Sequence, residues 1–241
     1  MTLKHRSEEA EIMDDLNISG EVIGQTLREL DIINRRLGGN QISLSAFRKL
    51  LKSHKIRSVA DLGCGGADIL MAMARIAKQK KHEVEFTGID ANQHIVEYAN
   101  QHTRKWANIS VIQENILSDA FRQQQFDIIH CCLFLHHFTE KQLVSIFKNF
   151  REQARVAIIV NDLHRHYLAY HSIRLLTRLF SKSYMVRNDA AISVARGFKK
   201  SELISILEQA GITNYQLSWR WAFRWQLVIK KINPVPNQHR V

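Results

Sequence analysis

Asp61-Leu62-Gly63-Cys64-Gly65-Gly66-Ala67-Asp68 closes an apolar run that begins at Arg57 and leads without a linker into helical spacing from Asp68 to Lys78. A short apolar run, a glycine bend and an immediate helix form the opening half of a βαβ unit. The same alternation continues downstream. Strand-sized runs lie at Val84–Asp90, Ile109–Gln113, Phe126–Cys132 and Ala154–Asn161, with helical intervals at Asn92–Thr103 and Glu140–Glu152. Strand–helix alternation predicts a parallel sheet covered on both faces by right-handed crossovers. Beyond it, Leu163 to Met185 carries apolar residues at helical spacing with basic residues between, and Phe198–Ala210 reads as a helix stopped by Gly211. Two further runs, Ile212–Leu217 and Phe223–Ile229, are a hairpin's length apart and are expected to be antiparallel. Ahead of the bend, Leu27, Leu30, Ile33 and Leu37 share one helical stripe.

The chain has 241 residues, 45% hydrophobic and 24% charged, which fits one globular domain with an added element and excludes a disordered or fibrous chain. Its two prolines, Pro234 and Pro236, leave the first 233 residues without any, which favours long helices over a turn-rich sandwich. A net charge of +11 attracts anionic partners. The basic groups are nevertheless dispersed, and Lys78, Lys80, Lys81 or Lys199, Lys200 are too few in a row for a nucleic-acid tail, so nucleic acid is not the expected partner. Three cysteines argue against a disulfide scaffold, and adjacent Cys131 and Cys132 on a strand point to opposite faces. Among twelve histidines there is no His-Glu-x-x-His, and no metal is expected. The charged start from Lys4 to Glu9 and the absence of any run of membrane-spanning length lead to the expectation of a soluble, cytoplasmic protein.

The glycine bend lets a ligand approach the backbone where no Cβ intervenes. It is not a phosphate loop, for Gly-x-x-x-x-Gly-Lys-Ser/Thr is missing. Nor is it a dinucleotide loop, whose third glycine is replaced by Asp68, an acid that repels a pyrophosphate at a helix start. Asp61 two residues before the first glycine suits an ammonium or sulfonium. Asp90, ending the second strand in Gly88-Ile89-Asp90-Ala91-Asn92, either accepts ribose hydroxyls or caps the next helix. After the third strand, Asn115 and Ile116 are placed to read a base edge.

Taken together, the Asp-x-Gly-x-Gly bend, Asp90, the Asn115 turn and Phe126-Asp127-Ile128-Ile129 through Leu135-His136-His137 resemble a class I S-adenosylmethionine-dependent methyltransferase. The likeness runs from about Arg57 to Val160. Leu30-Asp31-Ile32-Ile33-Asn34-Arg35 with Gly38 is similar to the N-terminal segment of the small-molecule branch that includes quinone-biosynthesis methyltransferases. The resemblance implies an α/β fold: a Rossmann-like, seven-stranded, mostly parallel sheet with a terminal antiparallel hairpin. It divides the chain into a helical cap at 1–50, a methyltransferase core at 51–233 with a lid-like insertion at 163–195, and a tail at 234–241. It also implies S-adenosyl-L-methionine as cofactor, held by Asp61, Gly63, Cys64, Gly65 and Gly66 around the methionine part. Asp90 and Ala91 would hold the ribose, Asn115 and Ile116 would meet the adenine, and Cys132 would line the site. Family members often carry an acid where Asn115 stands.

If the acceptor is a hydroxyl or acidic carbon, a base must take its proton, and His136, His137, His164 and His166 all follow strand ends. His166, oriented by Asp162, is the leading expectation for that base, with His137 and His136 beside it. Each has a plainer alternative, as a cap or a packed side chain. Cys132-Leu133-Phe134 lacks the Asn-Pro-Pro-Tyr type of motif that planar amino-group methylators place there, which favours a small lipophilic or aromatic acceptor. Tyr167–Met185 is expected to be a lid helix whose apolar face closes the site, or a cationic amphipathic helix in peripheral contact with a membrane. Trp219, Trp221 and Trp225 are expected in core or dimer packing. The alternatives are an RNA or protein methyltransferase, and a cofactor-binding partner protein without catalysis.

Overall fold

The computed structural model describes residues 3–231, so the tail at 234–241 and both prolines lie outside the described residues. Seven strands form one sheet, β1 (Ser58–Leu62), β2 (Glu85–Asp90), β3 (Ile109–Gln113), β4 (Phe126–Cys132), β5 (Ala154–Leu163), β6 (Tyr215–Arg220) and β7 (Arg224–Lys230), in the order β3-β2-β1-β4-β5-β7-β6. The first five are parallel, and β7 runs antiparallel to both β5 and β6. Strand order reverses between β1 and β4, and open α/β sheets bind ligands outside the carboxyl ends at such a point. The fold expected from the sequence is the fold observed.

Side chains alternate across the sheet and build two cores. Ala60, Leu62, Ile129 and Cys131 pack against α6 (Glu140–Gln153) and α9 (Lys200–Gln209). Val59, Ile128, Ala157 and Ile159 meet α2 (Gly39–Ser53) and α3 (Asp68–Gln79) on the other face. Phe47 of α2 is fully buried there, edge-on to Phe86. Helix α1 (Glu21–Arg36) lies on α4 (Gln93–Thr103) through Ile23, Leu27 and Ile95. Asn92, whose side chain accepts from His94 N and Ile95 N, caps α4, so Asp90 is not its cap.

Several elements depart from the sequence pattern for identifiable reasons. Strand β5 runs two residues past Asn161, because Asn161, Asp162 and Leu163 pair in register with Gln226, Trp225 and Arg224. Strand β6 begins at Tyr215, while Ile212 is spent as a core plug just after Gly211. Helix α9 starts at Lys200 rather than Phe198, whose backbone pairs with Leu163 and Arg165. The helical stretch expected from Leu163 to Met185 is two helices, α7 (Tyr167–Phe180) and α8 (Tyr184–Arg196). Glu29 of α1 fixes the break, accepting from Ser181 Oγ and from the backbone of Lys182 and Ser183, while the Ser183 side chain caps α8. Residues 3–20 form an extended strap with one helical turn at Ile12–Asp14 and a tighter turn at Leu16–Asn17.

The short helix α5 (Asp119–Arg122) completes the set among the described residues. Because Phe47 fills the space between α2 and the sheet, Phe47→Ala is expected to lower the unfolding free energy by about 3–5 kcal/mol. Urea denaturation of the two proteins measures that loss.

Candidate functional site

A cavity of about 480 Å³ opens over the carboxyl ends of β1, β2 and β4, within the range of roughly 300–1,000 Å³ usual for small-ligand sites. Its floor is the glycine bend. Gly63 sits at φ 65°, and a Cβ there would stand 2.2 Å from the Phe134 ring, so glycine is required both by conformation and by space. Gly65, at φ 51°, donates its N–H to Asp90 Oδ2 at 3.3 Å, and Asn92 N reaches Asp90 Oδ1 at 3.1 Å. Burial pushes the Asp90 carboxyl up, against those backbone bonds. Asp61 is not free to act alone: its Oδ1 is 2.6 Å from His130 Nδ1, and His130 Nε2 is 2.8 Å from Ser43 Oγ. That buried chain ties the first strand to α2. Burial also holds the Cys132 thiol up at about 12, so it is a neutral wall rather than a nucleophile.

All the residues expected around a cofactor line this one cavity: Asp61, Gly63, Cys64, Gly65 and Gly66 below, then Asp90, Ala91, Asn115, Ile116 and Cys132 around them. Asn115 is set by its own turn, its side chain accepting from Leu117 N while Glu114 accepts from Asn115 N. Leu27, Leu30 and Ile33 of the α1 stripe also face the cavity, so that stripe lines a site rather than only a core.

His136 and His137 line the cavity, and His166 does not. His166 is the N-cap of α7, accepting from Leu168 N at 3.1 Å and stacking on Phe223. Asp162, expected to orient it, is engaged elsewhere, because β5 ends at Leu163 and His166 stands beyond it, held at the start of α7. Its Oδ1 lies 2.7 Å from His136 Nδ1, and its Oδ2 accepts from Leu135 N at 2.9 Å. The expectation of an Asp162–His166 pair is therefore replaced by an Asp162–His136 pair. Other polar residues at and just past the end of β5 are accounted for structurally: Asn161 donates to Gly39 O and Ser43 Oγ, and Arg165 pairs with Glu202.

The strap adds residues that the sequence reading missed. Glu11 Oε1 lies 3.5 Å from His136 Nε2, and Asp14 Oδ1 lies 2.6 Å from His137 Nδ1. Arg196 of α8 reaches Asp14 at 2.5 Å, and Arg6 donates to the carbonyls of His136 and Phe138. Asp189 accepts from the backbone of Ile12 and Met13. Burial disfavours the His136 imidazolium, but Asp162 and Glu11 outweigh it and hold its pKa up at about 9. Burial likewise opposes the charge on Asp14, yet His137 and Arg196 keep its carboxyl well below the usual range. Donor atoms of Glu11, His136 and His137 converge within 4.8 Å, a spacing that a metal ion can bridge. Arg196 already stands 3.5 Å from that Glu11 oxygen and Asp14 engages His137, so cations of the chain itself balance these acids. Nothing in Glu11-Ile12-Met13-Asp14 marks it as a site in a single sequence, since acids near a charged start read as solvated surface.

Arg224 was missed as well. It is buried at the head of β7, its Nη2 donates to Asn34 at 2.9 Å, and its Nη1 has no partner among the described residues. Among the described residues no carboxylate pairs with it, although it lines the cavity beside Cys132. A buried unpaired guanidinium calls for an anionic group from a ligand. Its one sequence signal is an arginine heading an otherwise apolar strand.

A family profile described as "Methyltransferase domain" matches residues 53–211. The carboxy-S-adenosyl-L-methionine synthase of Campylobacter jejuni subsp. jejuni serotype O:23/36 (strain 81-176) is 23% identical over 206 residues, 78% of this chain and 80% of that protein. Among solved structures, the plantazolicin methyltransferase BpumL in complex with SAH is similar at TM-score 0.64 and 15% identity, over 88% of this chain and 89% of that one. Magnesium protoporphyrin IX methyltransferase (ChlM) from Synechocystis PCC 6803 with bound SAH is similar at TM-score 0.55 and 17% identity, over 82% and 85%. The profile covers the glycine bend, Asp90 and the Asp162–His136 pair alike, and the chain belongs to the methyltransferase domain family, as an S-adenosylmethionine-dependent class I methyltransferase.

Proposed function

We propose that this methyltransferase acts on a small, lipophilic acceptor through a hydroxyl oxygen or an enolised carbon, with His136 as the base. The observation that carries this reading is a pair of buried atoms, His136 Nε2 and Glu11 Oε1, at the cavity wall. Among the described residues each lacks a hydrogen-bond partner, and they stand 3.5 Å apart. Buried polar atoms are seldom left unpaired, and that gap fits a hydroxyl that can bridge both. Asp162 fixes the imidazole through Nδ1, which leaves Nε2 for the acceptor's proton. With its pKa near 9, His136 is close to a phenol, about 10, so the proton passes with little cost in either direction. The bound cofactor supplies a sulfonium-activated methyl group. The chain's task is alignment, an effect that can supply roughly 7–11 kcal/mol at best.

The wall around His136 supports a lipophilic acceptor. Leu30, Ile33, Phe134, Phe138, Ile173 and Val186 face the cavity, and they offer a nucleobase or a peptide few polar partners. The unpartnered Nη1 of Arg224 is placed to meet the cofactor's carboxylate. A cytoplasmic location fits three cysteines that are all free. Among the described residues no helix is long and apolar enough to cross a membrane.

Three measurements follow from these groups. The rate constant kcat should rise with pH toward about 9 as His136 loses its proton, and His136→Gln should lower it by about 10²–10⁴-fold. The stability linked to His136 has the opposite sign. It is fully present below about pH 6.5 and is lost as pH rises through about 9, so Tm should fall over that window in the wild type and less in His136→Gln. Arg224→Met should weaken S-adenosylhomocysteine binding by about 1.5–3 kcal/mol while leaving 5′-methylthioadenosine, which has no carboxylate, unchanged in calorimetry.

A further inference from the structure

Helix α7 is oriented inside out for a lid. Its smaller side chains face the protein: Ala169 and Thr177 are buried, and Ile173 reaches the cavity wall. Its large apolar side chains face away, with Leu168 57%, Leu175 58% and Leu179 64% exposed along one stripe, and Phe180 78% exposed at the end. The lid expected from the sequence is corrected accordingly, since the apolar face turns from the site instead of closing it. Burying one such leucine is worth roughly 1.5–3 kcal/mol, so a contiguous row of them left bare marks a surface that another body covers. Arg174 and Arg178, one helical turn apart, form an exposed stripe beside the leucines, with Lys182 exposed just past the helix end.

The hairpin turn between β6 and β7 extends the patch. Trp219 donates to His164 Nδ1 at 3.2 Å, and His166 stacks on Phe223, so the turn abuts the start of α7. Trp219 is 46% and Trp221 69% exposed, and only Trp225 is buried in the core. Exposed tryptophans beside an apolar stripe with a cationic margin are the make-up of a helix lying in a lipid interface.

We propose that α7 and the β6–β7 turn dock on the surface of an anionic lipid bilayer, with the leucine stripe and Phe180 entering the acyl boundary and Arg174, Arg178 and Lys182 meeting lipid phosphates. Charge favours this occupant over a second copy. A two-fold dimer through α7 would bring both sets of these cations into one interface, whereas an anionic surface attracts them, as it attracts a chain of net charge +11. Resting on the lipophilic-acceptor reading, the docking also gives that acceptor a route. Only the thickness of one helix, about 10 Å, separates the lipid-facing side of α7 from the Ile173 wall of the cavity.

Flotation of the full chain with vesicles of phosphatidylglycerol and phosphatidylcholine, against vesicles of phosphatidylcholine alone, tests this. The protein is expected to float with the anionic vesicles and to be released as salt rises. Leu175→Glu with Leu179→Glu should abolish flotation, and Arg174→Glu with Arg178→Glu should lower the partition coefficient by at least about tenfold. All these side chains are exposed, so circular dichroism and S-adenosylhomocysteine affinity should stay unchanged. A wild-type protein that stays in solution with anionic vesicles overturns the docking, as does flotation that both leucine changes leave intact. A dimer in light scattering that Leu175→Glu splits, without vesicle binding, assigns the face to a second copy and overturns it equally. Failure of the acceptor reading is separate, for it would appear as absent methyl transfer to apolar phenols whatever the flotation result.

Discussion

One carboxylate holds the His136 end of the cavity together. Asp162 is 1% exposed, and its two oxygens take His136 Nδ1 together with the backbone N–H groups of Phe134, Leu135 and Leu163. A lone buried carboxylate would shed its charge. Here burial raises the Asp162 pKa, but His136 and the convergent N–H groups more than reverse it. The turn at Leu135–His137 exists because these N–H groups have an acceptor to fold around, and the imidazole's direction is set by the same oxygens. Remove that charge and the turn, the orientation of His136 and the slot against Glu11 lose their common support.

The strap depends on this arrangement in turn. Residues 3–20 have little regular structure of their own, and they are placed by groups on other elements: Asp189 on two backbone N–H groups, Arg196 on Asp14, and Arg6 on the carbonyls flanking the histidines. Glu11 and Asp14 are met there by Arg196 and the two histidines at short range, while Glu8, Glu9 and Asp15 stay exposed to solvent. Helix α8 therefore serves two purposes, walling the cavity with Val186 and Val194 and anchoring the strap that brings Glu11 to His136. Helix α7, packed beside it, puts its apolar surface outward. The same insertion thus walls the cavity on one side and, on the proposed reading, faces the surroundings from which an apolar acceptor would come.

Much of the cofactor end was legible in the sequence because its groups are local. The glycine bend, Asp90 and the Asn115 turn each follow a strand directly, and a parallel sheet brings consecutive strand ends to one edge. Alternation of strand and helix was enough to place them together. The end near His136 was not legible in the same way. His166 lies only four residues from Asp162 and His136 lies 26 residues away, so distance along the chain favours the wrong pair, and only the fold brings His136 Nδ1 to 2.7 Å from the carboxylate.

What the sequence by itself determined was the sheet, its topology and the set of residues at the strand tips, since periodicity and glycine placement act over a few residues at a time. Only the tertiary structure decided which histidine meets the buried carboxylate, that Glu11 and Arg224 join the site from opposite ends of the chain, and that the apolar stripe of α7 faces outward. Those three outcomes depend on contacts across long stretches of chain and on which face of an element its neighbours cover, and neither is written in local spacing.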